Sequence, residues 1–283
     1  MILRDKAIVI TGGSLGIGFA TAKKCAQEGA QVIIAARNKE YLERALESLR
    51  EISDKGHDCY SLDVSNFNEV KAFAEWCNKK NYYLNALVNC AGIYGPIGKS
   101  TEIDMRDFAN AININLLGTV FMCSAFAPCL VSKSNKKIIN YSGGGAATPF
   151  PNYSAYAVSK TAIVRFTENL ALELSDKKID VNCIAPGFVI TRLHEQTLMA
   201  GPENAGPSFY DNTKKQIESG GVSTEKAAEL TVFLISEMSD GITGKFISAP
   251  WDPWRDLEFQ ELLKTDKDIA TIRRIDNKYY KKI

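Results

Sequence analysis

The chain has 283 residues, 45% hydrophobic and 24% charged, proportions that allow a sizeable core and exclude a disordered or collagen-like chain. Thirty-four Lys and Arg oppose 33 Asp and Glu, and a formal charge of +1 provides no global field to attract nucleic acid or an acidic membrane surface. Met1 to Thr11 lacks the length and the cleavage-type end of a signal peptide, so residence in the cytosol is expected. The seven cysteines include no C-x-x-C pair, and with only His57 and His194 no zinc spacing can be assembled; they read as reduced, mostly buried thiols.

In chain order, short apolar or β-branched runs at Ala7 to Thr11, Gln31 to Ala36, Cys59 to Val64, Ala86 to Asn89, Lys137 to Ser142, Asp180 to Ala185 and Lys245 to Ala249 have the length of buried strands. Helix-length segments, such as Gly16 to Glu28, Lys39 to Ser53 and Asn66 to Lys79, lie between them. Strict alternation predicts an α/β fold over residues 1–250, a doubly wound parallel sheet with right-handed crossovers and helices on both faces. Phe108 to Ser132 carries no charge and exceeds the ~20 residues that span a bilayer. Its Asn110, Asn113, Asn115, Ser124 and Pro128 favour a long helix buried between protein surfaces. Gly201 to Pro207 is expected to be a loop near the carboxyl edges of the late strands, where ligands bind. Residues 251–283 form a C-terminal extension whose Trp251, Trp254, Leu257, Leu262 and Leu263 predict packing on the domain or on a partner subunit, with the rim of the active-site cleft as one candidate surface.

Directly after the first strand comes Thr11-Gly12-Gly13-Ser14-Leu15-Gly16-Ile17-Gly18, opening a helix. Glycines here let the backbone approach a pyrophosphate while the helix N-terminus offers free N–H groups. At the end of the second strand an acidic residue would bind the ribose hydroxyl of NAD(H); Ala36 stands there instead and Arg37 follows, which favours the 2′-phosphate of NADP(H) and leaves NAD(H) second. Tyr156 and Lys160 are four apart, one turn on one helix face, so phenol and ammonium are neighbours, and the ammonium together with the positive nicotinamide of an oxidised cofactor should favour the phenolate for proton exchange with a carbonyl oxygen. Ser142, fourteen residues upstream at a strand end, is a candidate donor to that oxygen. Tyr153 has no lysine four residues on and reads as a decoy.

The spacing T-G-x-x-x-G-x-G together with Y-x-x-x-K resembles the compact, single-domain form of the short-chain dehydrogenase/reductase family, with its Rossmann-type fold, over about residues 4–250. The resemblance implies further site residues. Asp63 and Val64 correspond to the adenine contact, Asn89-Cys90-Ala91-Gly92 to the N-N-A-G element with Cys at its second position, and Asn115 to the fourth member of a catalytic tetrad with Ser142, Tyr156 and Lys160. Pro186, Gly187, Val189 and Thr191 correspond to the nicotinamide-side loop, and Lys160 also to a ribose contact. The activity implied is hydride exchange between NADP(H) and a small carbonyl or alcohol, a sugar or related keto compound among the options, in a homodimer or homotetramer. The rival readings are a 3-oxoacyl thioester reductase and a non-catalytic NADP-sensing protein; the glycine spacing and the lack of a long substrate domain disfavour a sugar-nucleotide epimerase.

Overall fold

The computed structural model describes residues 1–131, 134–190 and 192–274, without the side chains of 192 and 193. Strands β1 (Ala7–Thr11), β2 (Gln31–Ala36), β3 (Asp58–Ser61), β4 (Leu84–Asn89), β5 (Lys136–Tyr141), β6 (Ile179–Ala185) and β7 (Phe246–Ser248) form one parallel sheet in the order β3-β2-β1-β4-β5-β6-β7. The doubly wound α/β fold is therefore as expected. Its strand order reverses at β1, which opens a crevice at the carboxyl ends of β1 and β4. Strand β3 stops at Ser61 instead of continuing to Val64. Asp63 Oδ1 accepts from Ser65 N at 2.9 Å and from Ser65 Oγ at 2.7 Å, an Asx turn that ends the ladder.

Alternating strand residues face two apolar layers. Ile8, Ile10, Val32 and Ile34 pack with α1 (Gly16–Gln27), α2 (Lys39–Ile52) and α9 (Thr224–Ile235), while Val9, Ile33 and Leu87 pack with α3 (Phe67–Lys79), α5 (Gly118–Phe126) and α6 (Ser154–Glu173). The single helix expected from Phe108 to Ser132 is instead α4 (Met105–Ile112), a π-helical turn at Asn113–Leu117, α5, and a 3-10 turn at Ala127–Cys129. Ser132 lies outside the described residues. By length and composition alone, Met105–Cys129 could cross a bilayer, yet its Ile114, Met122, Cys123 and Phe126 belong to the core beneath β4 and β5.

The loop expected at Gly201 to Pro207 is also corrected. Helix α7 (Arg192–Ala205) continues through a kink at Gly201 (φ 73°, ψ 169°), and Gly206, at φ 85°, joins it to α8 (Pro207–Glu218), whose first residue is a proline. Two hinged helices thus occupy the place of an irregular segment. His57 caps β2 and the end of α2, with Nδ1 accepting from Val32 N and the other ring nitrogen 2.9 Å from Ser53 Oγ.

The extension packs on its own domain. Trp254 is buried against Phe233 of α9, ring centroids 5.6 Å apart, and its indole N–H donates to the Ala249 carbonyl at 3.2 Å. Helix α10 (Leu257–Thr265) buries Leu263, and the segment after it lies along β7, where Phe246 N donates to Ala270 O at 2.7 Å. Ser248 N donates to Asp252 Oδ2, also at 2.7 Å. Arg273 reaches Glu168 of α6 at 3.0 Å. Trp254 therefore sits on the α1–α9 face and not on the rim near Gly201, whereas Trp251 is 81% exposed. Trp254→Ala should lower unfolding stability by about 3–5 kcal/mol, the cost of emptying a buried aromatic site, and Trp251→Ala by less than about 0.5 kcal/mol. Urea denaturation of the two variants measures both.

Candidate active site

The site begins at the turn between β1 and α1. Gly12 has φ 67° and its amide donates to Ala35 O at 2.8 Å, which sets the end of β2, Ala36 and the exposed Arg37 beside the turn. A Cβ on Gly18 would lie 2.3 Å from Gly12 O, so only glycine lets the first turn of α1 fold back onto the loop. Leu15, the extended residue before α1, makes no side-chain cap, and no acidic residue occupies the helix's first turn. These are unclaimed N–H donors at the positive end of a 12-residue helix, and they fit a pyrophosphate. Ser14 is buried within the same turn, while Gly16 and Ile17 begin the helix.

Thr11, fully buried, ties this turn to the next. Its hydroxyl accepts from Cys90 N at 3.2 Å and Ala91 N at 3.3 Å, holding the segment after β4 against the glycine turn. Asn89 donates to Asn140 Oδ1 at 2.9 Å, and Asn140 donates to Thr167 of α6 at 2.9 Å. Neither Thr11 in this role nor Asn140 was marked by a motif; buried polar residues at strand ends were the available signal. Val64 lies across from Gly118, where a Cβ would come within 2.7 Å of its Cγ2. Asp63 is half-buried beside it, with its carboxylate engaged in the Asx turn.

Tyr156 and Lys160 are buried on one face of α6, with the ammonium 5.5 Å from the phenol ring centroid. Lys160 Nζ donates to Tyr141 O at 2.8 Å. A Cβ placed on Gly92 would be 3.2 Å from Asn115 Oδ1 and 3.4 Å from Lys160 Nζ, so these three converge. Asn115 lies in the π-helical turn, fully buried, and bonds both Ile93 N (2.8 Å) and Ile93 O (2.9 Å). Asn113, its near neighbour in the sequence, is exposed. The expected easing of Tyr156 toward phenolate is not what these side chains produce. Burial pushes its pKa up, with the Cys90 thiol adding to the shift, and burial pushes that of Lys160 down. The phenol consequently keeps its proton at neutral pH, the form a proton donor requires.

Ser142 is not brought to the phenol. Its hydroxyl donates to the Lys160 carbonyl at 3.0 Å, inside the β5–α6 contact, and the residue is 3% exposed. The expectation that it meets a substrate oxygen is corrected on that geometry. Pro186, Gly187 (φ 84°) and buried Val189 form the turn after β6, where Gly187 rests against Pro250. Thr191 lies outside the described residues.

Aromatic side chains pack around Tyr156 in one buried cluster. Tyr94 meets the Tyr156 ring edge-on, centroids 4.8 Å apart, and Tyr153 stacks on Phe150 at 4.3 Å under Phe209 of α8. Tyr153, expected to be idle, donates to Thr197 of α7 at 2.9 Å and so anchors that helix. His194 of α7 lies 3.2 Å from Tyr94 Oη and against Phe188. No motif marks Tyr94 or His194, because their partners are a hundred residues apart in the chain.

A proton-bearing phenol beside an ammonium, at the switch point of a sheet whose first turn is shaped for a pyrophosphate, defines a nucleotide-dependent oxidoreductase. Residues 6–200 match the family model for short chain dehydrogenase. An uncharacterized oxidoreductase of Bacillus subtilis (strain 168) is 33% identical over 248 residues, 87% of this chain and 90% of its own. A 3-oxoacyl-acyl-carrier-protein reductase of Thermotoga maritima is 32% identical over 87% of this chain and 97% of its own. A solved NAD+-bound xylitol dehydrogenase shares the fold with a TM-score of 0.81 at 24% identity, over 88% of this chain and 98% of that one. The chain belongs to the short-chain dehydrogenase/reductase family and is an NAD(P)-dependent oxidoreductase of small molecules.

The buried His194 couples the wall to pH. Burial holds its pKa down to about 4, so the ring is neutral while α7 is seated. A histidine released to solvent titrates near 6.5, and between that value and 4 the open form binds a proton that the seated form does not. Seating of α7 should be unaffected above pH 6.5 and weaken on acidification by about 1.4 kcal/mol per unit, roughly 3 kcal/mol in all. Amide exchange in α7, compared at pH 7 and 4.5, should show the difference in wild type and lose it in His194→Leu.

Proposed function

We propose that this protein is an NADP(H)-dependent oxidoreductase that interconverts a ketone or aldehyde and an alcohol, working in the cytosol as a homo-oligomer. The observation that carries this reading is the buried, protonated Tyr156 one turn from Lys160, both at the crevice beside the glycine turn. The nicotinamide cofactor supplies the hydride in reduction and takes it in oxidation. Tyr156 donates its proton to the substrate oxygen, and the Lys160 ammonium, held by Tyr141 O, has donors left for a ribose and its positive charge stabilises the phenolate that the proton leaves behind. Asn115 braces Ile93 against Ser159 of α6 and supports a proton relay to Lys160. The glycine turn, Asp63, Val64, Asn89 and the turn Pro186–Val189 bind the rest of the cofactor.

Several observations support the finer parts. Ala36 in place of an acid, followed by an exposed Arg37 beside the glycine turn, favours NADP(H) with NAD(H) second. The wall of Tyr94, Phe150, Tyr153 and Phe209 favours a substrate with a flat or ring face, a keto sugar or related cyclic ketone. The thioester alternative draws on the Thermotoga maritima relative. Seven free cysteines suit a reducing compartment. Leu117, exposed on the π-helical turn, and Val158 and Leu172, exposed on α6, favour burial against a second copy, in a dimer or tetramer. A purely cofactor-sensing role has no use for a buried phenol–ammonium pair.

NADPH oxidation against keto sugars, β-keto thioesters and simple ketones tests the reading. Tyr156→Phe should lower turnover at least about 100-fold on the best substrate while NADPH still binds. Near-normal turnover in that variant would mean the proton comes from elsewhere. Arg37→Ala should weaken NADPH binding by about 1.5–3 kcal/mol, the scale of a charged hydrogen bond, and barely change NADH; equal wild-type affinity for the two cofactors would remove the preference.

A further inference from the structure

A carbonyl oxygen that takes a proton from one phenol gains negative charge during hydride transfer, and a second hydrogen-bond donor aimed at it lowers the barrier further. Ser142 does not occupy that position. Its hydroxyl is committed to the Lys160 carbonyl on the inner side of α6, next to Cys183. The β5-side residue that touches the phenol is Gly143, where a Cβ would stand 2.2 Å from Tyr156 Oη. Residue 143 therefore brings no side chain to the phenol, and the serine before it points the other way.

A second phenol packed directly on Tyr156 belongs to Tyr94. Its ring is perpendicular to that of Tyr156, at 89°, and the two centroids are 4.8 Å apart. Tyr94 is 4% exposed, and burial with the neighbouring Tyr156 and Tyr153 phenols pushes its pKa up, so it too keeps its proton. Among the described residues its Oη pairs with His194 Nε2, at 3.2 Å, on α7. With the imidazole proton on Nε2, His194 donates to Tyr94 Oη and leaves the tyrosine hydrogen for an incoming oxygen.

Resting on the carbonyl-reductase reading above, we propose that Tyr94, oriented by His194, is the second hydrogen-bond donor to the reacting oxygen, and that Ser142 is a structural link between β5 and α6. His194 is a positioning residue in this arrangement.

Steady-state kinetics with NADPH and the best substrate of the keto sugar, thioester and ketone panel test the assignment. Tyr94→Phe keeps the ring that packs on Tyr156 and should lower kcat and kcat/KM together by about 30- to 100-fold, the signature of an interaction made only in the transition state, with NADPH binding unchanged. Ser142→Ala should stay within about threefold of wild type. His194→Leu should resemble Tyr94→Phe, and His194→Gln, which returns a polar atom near the Nε2 position, should recover at least about tenfold of the loss. Full turnover in Tyr94→Phe, a Ser142→Ala loss of thirtyfold, or a Tyr94→Phe protein that no longer binds NADPH overturns the donor assignment. Equal losses in the two His194 variants overturn the positioning role. Tyr156→Phe separates the two levels: if it too keeps its turnover, carbonyl reduction by this site falls, and if it alone is inactive, only the role of Tyr94 does.

Discussion

The carboxyl ends of β1, β4 and β5 are locked at one level by hydrogen bonds that water does not reach, and the whole site hangs from that level. Thr11 accepts two amides from the segment after β4, and Asn89, Asn140 and Thr167 form a relay from β4 through β5 to α6. Such groups are costly to bury without partners and stiff once every partner is in place. Because Thr167 lies two turns beyond Lys160 on α6, the same relay that levels the strands also fixes the height and rotation of the helix that carries the phenol and the ammonium. Tyr141 extends the lattice to the opposite face, with its hydroxyl 2.6 Å from Thr231 and 3.1 Å from Thr21.

Much of this was legible because it is local. Strand alternation, the glycine turn after β1 and the four-residue spacing of Tyr156 and Lys160 are short-range patterns whose meaning survives folding, and each appears where the sequence put it. Ser142 was misread because a strand end has two faces and the sequence does not say which one a side chain takes. Here the parity of β5 sends Tyr141 toward α1 and α9 and turns Ser142 against α6. The Gly201 to Pro207 segment was misread for a related reason. Glycine and proline mark a break in direction, and a kink between two packed helical pieces satisfies that mark as well as a loop does. Tyr94, His194 and Asn140 carry no local pattern, and only the assembled sheet and α7 bring their partners to them.

The electrostatics of the site follow from dryness more than from pairing. Loss of water around the phenol pushes the Tyr156 pKa up, with the Cys90 thiol adding to the shift, and the same loss works against the charge on Lys160. Aromatic packing from α7 and α8 deepens this effect. Each ring that excludes water from the cleft also raises the value of every remaining polar group within it.

The last stretch of chain has a separate consequence for how this protein behaves among other copies of itself. A parallel sheet ends in a strand whose outward amides are unspent, and an unspent edge invites strand addition by any extended chain. In β7 the outward N–H groups of Phe246 and Ser248 are already bonded, one to the Ala270 carbonyl and the other to the Asp252 carboxylate. Lys245 adds two bonds to the carbonyls of Asp266 and Ile269. The seal is fastened at its far end by the Arg273–Glu168 ion pair on α6, so proteolytic trimming of the tail would uncover a templating edge and loosen α6 in a single cut.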